Sequence, residues 1–121
     1  MEEKKGNNLN INTERNFEPS QILNKYYSVQ FSLNSSDPVY MFKLRDISRN
    51  GLCILVKEDS DVLKRLKVNE TLNMEYNSFE PPGSNKLFKT RISDISKNNF
   101  GGFTGHYLVG LSIIDEHNEH L

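Results

Sequence analysis

Asp46-Ile47-Ser48-Arg49-Asn50-Gly51 is a polar segment, and Leu52-Cys53-Ile54-Leu55-Val56 follows it as an unbroken apolar run. Asp and Ser favour turns because their short side chains bond neighbouring backbone amides, and Gly accepts a positive φ. On the N-terminal side Tyr40, Phe42 and Leu44 alternate with polar or flexible residues, as a strand with one buried face requires. The segment therefore reads as a connection between two strands.

The same period of two recurs in both directions. Upstream, Tyr27, Val29, Phe31 and Leu33 alternate with Ser28, Gln30 and Ser32, and Asn34-Ser35-Ser36-Asp37-Pro38 supplies a turn to the strand at Tyr40. Downstream, strands are expected around Leu72 to Tyr76 and Leu87 to Ile95, separated by the breaker Phe79-Glu80-Pro81-Pro82-Gly83-Ser84-Asn85. A last strand carries Tyr107, Val109, Leu111 and Ile113 and is expected to end near Ile114. Two short helical connectors are predicted, Gln21 to Tyr26 with Ser20 as its cap, and Asp61 to Leu66 after Glu58-Asp59-Ser60. Six closely spaced strands without long helices predict a mainly β fold, a small antiparallel barrel or sandwich, because closure removes exposed edges.

The chain has 121 residues, enough for one domain. Residues 1–16 contain almost no apolar side chains apart from Leu9 and Ile11, and residues 1–18 are expected to form a disordered polar tail. The folded domain is placed at 19–115 and a frayed tail at 116–121. Fifteen basic and 16 acidic side chains leave a formal net charge of -1, which gives no long-range attraction to duplex nucleic acid or anionic lipid. No run is apolar enough to span a membrane and Met1-Glu2-Glu3-Lys4-Lys5 is unlike a signal peptide, so a cytoplasmic location is expected. The single cysteine, Cys53, reads as a small buried thiol.

With its flanking strands, Asp46-x-Ser48-x-x-Gly51 resembles the D-x-S-x-x-G signature of PilZ domains. Val62 to Val68 before Leu72-Asn73-Met74, and Tyr107 to Ile113, are similar to later strands of that family, so the resemblance covers about residues 20–114. It implies a six-stranded antiparallel PilZ-type β-barrel and a place in bacterial cyclic di-GMP signalling. In the family an R-x-x-x-R motif before the first strand supplies guanidinium forks to guanine and phosphate. Here Asn24 and Ser28 stand at those positions, with Lys25 the only base nearby. Each lost hydrogen bond to a charged group costs about 1.5 to 3 kcal/mol, so two missing arginines imply roughly a thousandfold weaker binding.

The resemblance thus implies a non-enzymatic regulatory module that works through contacts with a signalling or motility-related protein, with weak or no direct nucleotide binding and no cofactor. The alternative it leaves is a direct cyclic di-GMP receptor using Asp46, Ser48 and Gly51 with Arg45, Arg49 and Lys25. A single-stranded nucleic-acid barrel is a third reading, resting on Tyr26, Tyr27, Tyr40 and Phe42 as a stacking platform, although strand aromatics more often pack in a core. No catalytic or metal-binding spacing appears; His117 and His120 lack a third ligand. Asp94-Ile95-Ser96-Lys97-Asn98-Asn99 echoes the first motif without its glycine.

Overall fold

The computed structural model describes residues 19–48, 51–80, 84–98 and 103–116. The readings of residues 1–18, of Arg49 and Asn50, and of His117 and His120 lie outside them. In chain order the elements are α1 (Pro19–Leu23), β1 (Tyr26–Phe31), β2 (Tyr40–Lys43), β3 (Arg45–Ser48), β4 (Gly51–Lys57), α2 (Asp61–Arg65), β5 (Thr71–Ser78), β6 (Lys86–Lys97) and β7 (His106–Glu116).

All pairings are antiparallel, in the order β2-β1-β5-β6-β7-β4-β3. The two outermost strands are consecutive in the chain, separated only by Leu44. Residues 40–48 act as one bent strand whose first half pairs with β1 (Val29 opposite Phe42) and whose second half pairs with β4 (Arg45 opposite Cys53). That split strand brings the two edges of the sheet together into a nearly closed barrel. Leu44 is the hinge: its side chain is buried and its N–H donates to the Tyr27 carbonyl at 2.9 Å. The expected count of six becomes seven among the described residues because of this division, and Asp46 to Ser48 are strand rather than turn. Pairing continues to Ser48 opposite Gly51, leaving a two-residue connection.

Inward residues from every long strand fill the barrel: Val29, Ile54, Val56, Met74, Tyr76, Ile92 and Val109 are fully buried. Each such large apolar side chain contributes about 1.5 to 3 kcal/mol by leaving water. Tyr26, Tyr76 and Phe88 meet edge to face at centroid separations of 5.1 to 6.0 Å. Cys53 is buried, as its apolar surroundings in sequence suggest.

Three local expectations are corrected. Tyr27 does not alternate inward with Val29. The register shifts between Tyr26 and Ser28, so a bulge turns Tyr26 into the core and leaves Tyr27 exposed. Ser20 lies inside α1, which begins at Pro19, because the fixed φ of proline suits a first helical position. The last strand passes Ile114 to Glu116, where it still pairs with Phe88. The second connector forms as read, with Ser60 as cap accepting from the Leu63 N–H and Val62 buried beneath it.

Candidate functional site

Gly51 opens β4 at φ +93°, a conformation that L side chains rarely adopt, and a Cβ there would lie 3.2 Å from Pro19 Cγ. The end of the motif segment is therefore pressed against the first residue of α1. The other end of this helix leads into Asn24 and Lys25, whose N–H groups donate to Ser20 and Ile22 carbonyls at 3.0 Å. The fold thus places the motif glycine and the segment before the first strand at the same end of the barrel.

A cavity of about 390 Å³ opens beside α1, lined by Gln21, Ile22, Asn24, Lys25, Tyr26 and Phe88. A second, of about 250 Å³, shares Lys25 and Tyr26 and continues to Ser78, Glu80, Ser84 and Lys86. Amides and ammonium groups over an aromatic floor can hold a small polar or anionic group. They offer point charges and no planar guanidinium fork.

The side chains at the two positions of interest point to different fates. Asn24 is exposed, whereas Ser28 is only 4% exposed. Its hydroxyl accepts a hydrogen bond from Asn77 Nδ2 at 2.8 Å, and Asn77 Oδ1 in turn accepts from Asn85 Nδ2 at 3.1 Å. Asn85 Oδ1 also accepts from the Ser78 N–H at 2.8 Å. Position 28 is built into a polar clasp that locks the β5–β6 connection onto β1.

Arg45 is drawn elsewhere. Its guanidinium carbon sits 4.8 Å from the centroid of the Phe103 ring, which also meets His106 edge-on. That cation–π contact is worth about 0.5 to 1 kcal/mol at an exposed site and ties β3 to the loop before β7. Asp46 is exposed, Lys25 is exposed, and Ser48 contributes its backbone to the β3–β4 pairing. Of the residues read from sequence, Gly51 and Lys25 are brought to the α1 end, and Arg45 is engaged by an aromatic ring. Sequence reasoning missed Pro19, Phe103 and the Ser28–Asn77–Asn85 clasp, since none of these contacts is local in the chain.

The Asp94 to Asn98 echo lies in β6 and just beyond it, and Asn98 is buried with Nδ2 donating to the Phe103 carbonyl at 3.0 Å. It anchors the same loop that carries the Arg45 contact. Among the described residues there is no cluster of metal-ligating side chains, and no helix is long and apolar enough to cross a membrane.

The family model described as PilZ domain matches residues 12–121 of this chain, a span wider than the residues that carried the sequence resemblance. No curated protein and no solved structure matches it.

Proposed function

The chain belongs to the PilZ domain family, a family of cyclic di-GMP signalling, and from that premise we propose that it is a non-enzymatic regulatory module that acts through protein contacts, with weak or no direct binding of the nucleotide. The observation that carries this reading is Ser28, buried and hydrogen-bonded to Asn77, at the position that the sequence resemblance aligns with an arginine of the family motif. A side chain committed to that clasp does not reach out to a guanine edge or a phosphate. The engagement of Arg45 by Phe103 supports the same reading, because it occupies one of the cations that would substitute.

Calorimetric titration of cyclic di-GMP into the full chain tests it. The expected outcome is a dissociation constant weaker than about 10 μM, since loss of two charge-assisted hydrogen-bonding partners removes roughly three decades or more of affinity. Tighter saturable binding, lost on Asp46→Ala or Arg49→Ala, establishes the chain as a direct receptor instead.

A further inference from the structure

The bulge that sends Tyr26 inward leaves Tyr27 on the outer surface, 46% exposed, where its ring lies 5.4 Å from that of Phe79 at 65% exposure. Phe79 is fixed there by its backbone, because its N–H donates to the Lys25 carbonyl at 3.0 Å. On the neighbouring strand Lys43 stands opposite Ser28, and Met41, 59% exposed, follows two residues away on the same outer face. Two aromatic rings thus form an apolar surface outside the barrel interior, while Met41 lies further along the same face, opposite Gln30. Aromatic and methionine side chains are the residue types enriched at protein interfaces, and aromatic rings often dominate their energetics.

The charges at the margin of this surface are two bases and one acid. Lys25 and Lys43 flank Tyr27 and are both exposed, and among the described residues neither forms an ion pair. The one acid adjoining the patch in sequence is Glu80, next to Phe79. Two unpaired ammonium groups beside exposed rings complement a segment that presents an apolar anchor between carboxylates. A membrane surface or single-stranded nucleic acid calls instead for a broad basic face, which a chain of formal net charge -1 does not supply from two lysines.

We infer that Tyr27 and Phe79, with Lys25 and Lys43 at their margin, form the docking surface for an acidic segment of a partner protein that inserts an aromatic or large aliphatic side chain. This rests on the reading of the chain as a protein-contact module and names the surface that such a module uses.

Two-dimensional NMR of the isotope-labelled full chain at low salt tests the inference with three capped peptides: tryptophan flanked by aspartates and glutamates, tryptophan flanked by lysines, and the acidic sequence with alanine in place of tryptophan. The acidic tryptophan peptide is expected to shift the amides of Lys25, Tyr27, Lys43 and Phe79 saturably, and the other two to bind at least about tenfold more weakly. Phe79→Ser and Lys43→Glu, both at exposed positions, are each expected to weaken it about tenfold while leaving the remaining spectrum in place. Equal response to the lysine peptide, or shifts centred away from the patch, overturns the inference. Stronger patch shifts with vesicles of phosphatidylcholine and phosphatidylserine, or with a thymidine oligonucleotide, also overturn it. Cyclic di-GMP added to the same sample separates the two claims: saturable nucleotide binding overturns the functional reading alone, and a silent patch overturns this inference alone.

Discussion

Tyr76 shows how one polar atom is accommodated in the centre of the barrel. Its ring is fully buried, and its hydroxyl shares a 3.0 Å hydrogen bond with Thr90 Oγ1, which is itself positioned to donate to the Phe88 carbonyl at 3.2 Å. Burial holds the phenol well above its ordinary range by disfavouring the charged form, and the Thr90 hydrogen bond offsets only part of that effect. A raised folded pKa gives stability that is fully present below the unfolded value near 10 and is lost as pH climbs toward the folded value. Unfolding free energy is therefore expected to fall above about pH 10, by up to roughly 1.4 kcal/mol per pH unit from this group. Tyr76→Phe removes that component at high pH while costing about 1 kcal/mol at neutral pH, where the hydroxyl's hydrogen bond is intact. Urea unfolding of both forms at neutral and alkaline pH measures it, and an identical alkaline slope in the variant contradicts the assignment.

At the scale of elements, the hairpin of β3 and β4 and the short helix α1 depend on one another through Gly51. An alanine there meets two penalties, about 1 to 2 kcal/mol for the left-handed backbone and a Cβ 3.2 Å from Pro19 Cγ. Gly51→Ala is expected to lower the urea midpoint accordingly, and to speed hydrogen exchange at Asn24 and Lys25, whose amides close the end of α1. Unchanged exchange at those two amides would show that the helix does not rest on the glycine. The other elements explain what the sequence could and could not announce. The strands holding Met74, Ile92 and Val109 were legible because each alternates over several residues against a continuous core. The division of residues 40–48 was not, since Tyr40, Phe42 and Leu44 keep one period while the strand changes partners. The bulge at Tyr27 was equally silent, because it is set by the register against β5 and β1 begins with two tyrosines that either face could accept. In the candidate site the glycine was legible as a special backbone position. The clasp at Ser28 was not, as Asn77 lies 49 residues away.

A nearly closed barrel around one core is expected to unfold as one cooperative unit, and Leu44 is where this can be tested. The single cysteine allows no disulfide within the chain, and the bent strand that Leu44 divides joins the two sheet edges. The side chain is buried in the common core and the backbone is bonded across to β1, so the residue belongs to both halves at once. Leu44→Ala leaves the hydrogen bond and removes only packing, at an expected cost of about 2 to 5 kcal/mol. A barrel stabilised as a single unit transmits that loss everywhere: exchange of the most protected amides in β6 and β7, on the far side of the sheet order, is expected to accelerate by the same free energy as those in β2. A sandwich of separable halves gives a different result, with β6 and β7 retaining full protection while β2 and β3 open. The same measurement bears on the proposed docking surface, which draws Tyr27 from β1, Lys43 from β2 and Phe79 from just past the end of β5. Peptide binding in the Leu44→Ala variant is then expected to weaken only by the fraction of molecules unfolded, since the bulge and the Tyr27–Phe79 pair persist in every closed barrel.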